Sequence, residues 1–256
     1  MTPAPPAATG SYPRSEHTTP TRKPDRASYD REVVHSILDQ EYVCHLGFVR
    51  DGRPVVLPTL YARVGERLYA HGSTGSQPLR AAGQPNGAAG RTGSDGQDGE
   101  DGEDGEGRPG SPDDGGPGMP VCLTVTHVDG LVLARTAFHH SLNYRSVVVQ
   151  GTARQVTDRD ERVAALDALV DNVLPGRAAD CRPADPKELA ATAVIALDLN
   201  EVSAKIRSGG PSDDPEDVPL PYWTGVVPVS RAYGEPVPAD DLAPGTPLPE
   251  YLRRVG

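Results

Sequence analysis

Between Val43 and His71 the chain reads as three strands joined by turns too short to hold a helix. Val43–Arg50 and Arg53–Arg63 are rich in Val, Leu, Tyr and Phe, and Asp51-Gly52 lies between them. Asp-Gly is a strong two-residue hairpin signal, because both central residues of that turn need positive φ. Gly65-Glu66 marks a second turn before Leu68–His71. Strands that succeed one another without a crossover helix build a meander or a barrel, and they exclude a parallel βαβ sheet.

Further strands are predicted over Pro120–His127, Leu131–Arg135, Ser146–Val156, Thr192–Leu199, Val202–Arg207 and Trp223–Val229. Val128-Asp129-Gly130 is expected to turn the first of these into the second, and Phe138–Tyr144 to be irregular. Asp30 should cap a helix to about Gln40, with Val33, Val34, Ile37 and Leu38 on one face, and Asp158 another to about Val173. Ser76–Ala82 suggests a short third helix. The expected fold is mainly β with peripheral helices.

Composition sets the boundaries. Residues 1–20 are rich in Pro, Ala, Ser and Thr and read as a disordered tail; 21–230 form one domain; 231–256 are a Pro-rich tail over the surface. Residues 88–118 are Gly and Asp/Glu with almost no apolar side chain, an insertion unable to support a core. Its glycines recur in threes from Gly93 to Gly105, but the repeat is short and adjacent like charges repel, so a collagen reading is rejected. Nine of the 36 acidic residues lie between Asp95 and Asp114, so the formal charge of −11 belongs largely to this segment. No basic stripe is present to track a phosphate backbone, and nucleic acid is not an expected partner. No apolar run is long enough to span a membrane, and no signal-peptide layout is seen, so a cytoplasmic protein is expected. Cys44, Cys122 and Cys181 are far apart with no C-x-x-C, which suits free, mostly packed thiols and no metal site.

Two stretches carry chemistry. Leu68–Ser76 ends a strand in His71, Gly72, Ser73, Thr74, Gly75 and Ser76, a cluster through which backbone N–H groups and hydroxyls can surround an anion. It lacks the lysine and spacing of a P-loop. Phe138–Ser146 gathers His139, His140, Ser141, Asn143 and Arg145 before an apolar strand; Arg145 suits a bidentate phosphate contact.

Cys44-His45-Leu46-Gly47-Phe48, Pro58-Thr59-Leu60-Tyr61, Tyr69-Ala70-His71-Gly72-Ser73, Thr126-His127-Val128-Asp129-Gly130 and Asn143-Tyr144-Arg145-Ser146-Val147 together resemble the pyridoxamine 5′-phosphate oxidase-like superfamily. Within it they look most like the flavin-nucleotide-binding branch that includes the nitroimidazole-resistance (Nim) proteins. The likeness runs from about Thr21 to Val229 and departs at the acidic insertion. It implies a split β-barrel, a homodimer, and FMN at the subunit interface. By that resemblance Pro58 and Thr59 line the isoalloxazine edge, and His71, Gly72, Ser73 and Ser76 follow the ribityl-phosphate side. Asn143 and Arg145 approach from the other end, and His71 matches the active-pocket histidine of Nim proteins.

The implied activity is an FMN-dependent oxidoreductase that takes electrons from a reduced nicotinamide and passes them to a small acceptor, with nitro reduction as the family precedent. No G-x-G-x-x-G follows a strand, so the nicotinamide would be a transient substrate. The alternative is a haem-binding split barrel, with His71, His127, His139 or His140 as axial ligand. A non-catalytic flavin-binding protein is the third reading.

Overall fold

A computed structural model describes residues 10–73 and 118–253. Among these, nine strands form a single antiparallel system. They are β1 (Ala27–Ser28), β2 (Val43–Arg50), β3 (Arg53–Val64), β4 (Arg67–Ser73), β5 (Met119–Leu133), β6 (Ser141–Gln155), β7 (Thr192–Asp198), β8 (Glu201–Arg207) and β9 (Gly225–Pro228). The helices are α1 (Arg31–Leu38), α2 (Arg159–Val173), α3 (Pro186–Ala191) and α4 (Glu250–Arg253).

The ladder β6-β7-β4-β3-β2-β5 closes on itself through the β5–β6 pairing, making a six-stranded barrel, with β8 and β1 on one flank and β9 on the other. Closure removes the barrel's open edges. The inside holds Cys44, Leu46, Tyr61, Leu68, Leu123, Val125, Val147, Val149, Ile195 and Leu197, all buried. Each such aliphatic or aromatic side chain contributes about 1.5–3 kcal/mol on leaving water. A second cluster, Tyr69, Val156, Ala165, Val194 and Ala196, packs α2 against the outside of the wall. Arg67, Arg154 and the Tyr69 hydroxyl all reach Glu161 and fasten α2 further.

The turn and cap signals form as expected. Asp51 (φ 50°) and Gly52 (φ 71°) make the hairpin turn, with Arg50 opposite Arg53. The Asp30 carboxylate accepts from the Val33 N–H at 3.0 Å, and Asp158 from Glu161 N–H at 2.7 Å.

Four expectations are corrected. Val128-Asp129-Gly130 is not a turn but an irregularity inside one 15-residue strand, β5. Pairing with β6 on one side and β9 on the other continues past it, and these long-range ladders override the local turn preference. Ser141–Tyr144 accordingly belongs to β6, and only Ala134–His140 is left to reverse the chain. Residues 10–20 are not a loose tail. Tyr12 is buried, and its hydroxyl lies 2.8 Å from Glu66 and 2.9 Å from His35, so one aromatic anchor offsets a polar composition. Burial and the Glu66 carboxylate push the Tyr12 phenol far above its ordinary pKa. Of the cysteines, Cys44 is buried and its thiol pKa is pushed up to about 12 by burial, whereas Cys181 is exposed. Ser76–Ala82 and the acidic insertion lie outside the described residues. No helix among the described residues is long and apolar enough to cross a membrane.

Candidate cofactor site at the barrel split

The β3–β4 ladder runs from Val64↔Arg67 to Tyr61↔Ala70 and stops there. Continued in register it would set Leu60, Thr59 and Pro58 against His71, Gly72 and Ser73. Instead the strands part. β3 stays paired to β2 through Thr59↔Cys44 and Pro58↔His45, while β4 stays paired to β7 through His71↔Val194, Gly72↔Ala193 and Ser73↔Thr192. Proline at position 58 helps the opening, since it has no N–H to give to a ladder. Five of the eight expected site residues, Pro58, Thr59, His71, Gly72 and Ser73, therefore flank one cleft.

Leu60 and His71, on the two lips, also line a cavity of about 990 Å³, at the upper end of ordinary ligand sites. Its far wall is the face of α2 carrying Val163, Leu166, Val170 and Val173, together with Cys181 and Leu189 from the connection to β7. Arg159, Arg177 and Arg182 stand at the lining as well. The wall is apolar and the charge around it is balanced, the three arginines standing with Asp160, Asp167 and Glu188.

His71 differs from the other candidate histidines. Its Nδ1 is buried and has no hydrogen-bond partner among the described residues. By contrast, His127 Nε2 is 2.9 Å from the Ile37 carbonyl, His139 Nε2 is 3.2 Å from Asp214, and His140 Nδ1 is 2.8 Å from the Thr136 carbonyl. Burial lowers the His71 pKa, so the ring is neutral near pH 7 and a nitrogen lone pair is available. A folded-state pKa below the unfolded value means that the stability contributed by neutral His71 is present above the unfolded pKa. It is lost as pH falls through the folded one.

Asn143 and Arg145 are held elsewhere. Both sit on β6, where the Arg145 guanidinium donates to both carboxylate oxygens of Asp129, at 3.0 and 2.9 Å, and to Gln40 at 2.8 Å. The Asn143 side chain accepts from Arg207 and donates to the Gly209 carbonyl. Arg145 lines a different, polar cavity of about 690 Å³ with His127, Glu41, Arg231 and Tyr233. Ser76 lies outside the described residues. In this pair the Arg145 hydrogen bond first, and its charge second, hold the Asp129 carboxyl below the usual range against its desolvation. Arg145→Ala is expected to lower stability by only about 1 kcal/mol, because both side chains are about one-third exposed. Urea denaturation reads this directly, and flavin titration of the same variant decides whether Arg145 also serves a cofactor.

Sequence reasoning missed the α2 wall and the 177–192 connection. The available signal was that α2 is apolar round more of its circumference than one packing face needs: Ala165 and Leu169 are buried, while Val170 and Val173 stay partly exposed. Lys205 and Arg207, an alternating pair on β8, are internal supports: Lys205 donates to the Arg22 carbonyl and Arg207 to Asn143. Trp223 is exposed and covers Gly225, whose φ is 158°.

The family model for pyridoxamine 5′-phosphate oxidase matches residues 30–100 and 111–206, well over half of the chain. The chain belongs to that family. The split barrel with few helices is the family's flavin-binding fold, as the resemblance implied. The flavocytochrome Anf3 from Azotobacter vinelandii is 33% identical, with a TM-score of 0.77, over 94% of this chain and 97% of that one. The FAD and haem binding protein from Mycobacterium smegmatis is 37% identical, with a TM-score of 0.73, over 90% and 97%. A protein described as a 5-nitroimidazole antibiotic resistance protein, from Bacteroides thetaiotaomicron, is 16% identical, with a TM-score of 0.48, over 70% and 86%. No curated protein sequence matches the chain.

Proposed function

We propose that this member of the pyridoxamine 5′-phosphate oxidase family binds a flavin nucleotide at the β3–β4 split and a haem in the adjoining cavity, and that it is an electron-transferring reductase. The observation that carries the reading is His71: a buried imidazole nitrogen without a partner among the described residues, on the lip of a large apolar cavity. A haem needs an axial donor, an apolar slot and cations for its carboxylates; His71, the α2 face and Arg159, Arg177 and Arg182 are of those kinds. The Azotobacter vinelandii and Mycobacterium smegmatis relatives carry a flavin and a haem by name, which favours joint occupancy over the choice between FMN and haem. It also widens the expected FMN to include FAD.

With both groups bound, the flavin would supply two-electron uptake from a reduced nicotinamide, and the haem would pass those electrons singly, in two deliveries, to a small acceptor such as a nitro compound. The chain's own residues do the rest. Thr59 offers a hydroxyl and Pro58 a carbonyl to a polar ring edge, and Gly72, without a side chain, admits close approach. The neutral His71 ring presents a donor atom, and the α2 wall excludes water.

The cleft is completed by a second copy. On the outer sheet face, Val49 (68% exposed) and Val56 (62%) lie near Pro54 and Pro58 across the β2–β3 hairpin. Such an in-register apolar face is costly to leave wet, and a homodimer would cover it beside the split. The test is the visible spectrum of purified protein titrated with FMN, FAD and then haemin, with its mass in solution. A flavin envelope plus a sharp Soret band supports the proposal. Binding of neither group overturns it, and flavin without haem removes the haem half.

A further inference from the structure

We infer that residues 229–253 form a releasable clasp that governs ligand entry to the His71 cavity; this rests on the cofactor reading above. The cavity's outer wall is not part of the barrel. Between the end of α2 and β7 the chain crosses as a long connection, 174–191, with only short helical turns and Leu189 as its one buried apolar side chain. Its internal supports are local: Ala178 N–H to the Asp171 carboxylate at 2.8 Å, the Asp185–Glu188 capping box, and Arg182 to Glu188 at 2.6 Å. Such a segment opens at low cost compared with the barrel strands beneath it.

The segment 229–253 braces that wall from outside. Tyr251 on α4 donates its hydroxyl to Asp180 at 2.6 Å and accepts from Arg177 at 3.1 Å. Leu248 and Leu252 line a small cavity with Val173 and Leu174, at the corner where α2 gives way to the connection. Arg177 belongs to both structures: it lines the large cavity and holds the clasp. At its other end the clasp is tied to the barrel. The Val229 N–H donates to the Asp129 carbonyl at 3.1 Å, and Arg231 pairs with the nearly buried Glu41 and stacks over Tyr42 at 5.0 Å. Tyr233, Gly234, Glu235 and Pro236 line the same small cavity, and between them and Leu248 residues 237–247 run exposed. Two fastened ends with a slack middle let the Tyr251 end detach while the Arg231 end holds.

The test compares the full-length protein with Tyr251→Phe, which removes only the hydroxyl contacts, and with the double variant Tyr251→Ala/Leu252→Ala. Haemin uptake by cofactor-free protein is followed by stopped-flow, and hydrogen exchange is measured over 174–191. The double variant is expected to take up haemin at least severalfold faster and to exchange faster across 174–191 with β2–β8 unchanged; Tyr251→Phe should lie between. Unchanged exchange in both variants overturns the clasp. If no variant binds haemin, the cofactor reading falls, while exchange over 174–191 and uptake of an apolar fluorescent dye still decide the clasp.

Discussion

Replacing His71 with alanine is expected to abolish the Soret band on titration with haemin, with affinity falling by about 100-fold or more, beyond what loss of a mere supporting partner costs a metal site. The physical reason is placement: of the candidate histidines only His71 is among the residues that line the large cavity. Flavin absorbance should persist, because β3 presents Pro58 and Thr59 independently of the imidazole. Thermal stability should hold or rise slightly, since alanine relieves a buried nitrogen of its unmet hydrogen bond. A wild-type Soret band in this variant would take His71 out of the haem site. A folded variant that loses both flavin and haem would merge the two sites into one.

The largest loss of stability is expected from Tyr61→Ala, about 3–5 kcal/mol, the cost of emptying a large aromatic site in a packed core. Tyr61 is fully buried, its hydroxyl donates to the Leu38 carbonyl at the end of α1, and its own carbonyl accepts from Asn172 of α2 at 2.9 Å. It thus joins the barrel to both helices. It is also the last rung of the β3–β4 ladder before the split. The change should lower the urea midpoint with an unchanged slope, and cofactor affinity should fall with it. A loss below about 1 kcal/mol would mean that the core closes around the gap, at the mild end of such substitutions.

Acid should weaken the fold through a small set of carboxylates. Desolvation alone would raise the Glu41 and Glu161 pKa values, but hydrogen bonds from Arg231 and the Tyr42 N–H, and from Arg154 and Tyr69, hold them below the ordinary range. Groups depressed in the folded state contribute stability above their unfolded pKa, about 4.3 for Glu, and lose it as pH falls through the lower folded value. Melting temperature should therefore be flat near neutrality, begin to fall below about pH 6.5 as His71 protonates, and fall further below about pH 4 as these carboxylates do. Glu41→Gln should shallow that drop; an unaltered acid limb would mean that Glu41 is not among the groups responsible.

Much of the architecture was legible because it is encoded locally. Asp51-Gly52 requires positive φ at two residues, and the structure has it; Asp30 and Asp158 cap the helices that their positions announce. The alternation in Ser146–Val156 and the apolar run Thr192–Leu199 mark strands by side-chain periodicity alone. The clustering of Pro58 and Thr59 with His71, Gly72 and Ser73 was legible only through resemblance, since nothing in either strand says where their pairing ends.

Where local and long-range preferences compete, the sequence alone misled. Asp129-Gly130 has turn chemistry, yet β6 and β9 hold it extended. The fork of Arg145 meets Asp129, a partner 16 residues away that no local signal announces. The sequence by itself determined an antiparallel, mainly β chain with capped helices, because turns, caps and alternation act over a few residues. Only the tertiary structure decided the barrel closure, the parting of β3 from β4, and the cavity that α2 and the 177–192 connection build over His71. Those depend on which distant segments compete for the same edge or the same charge, and that competition is resolved only when the whole chain packs.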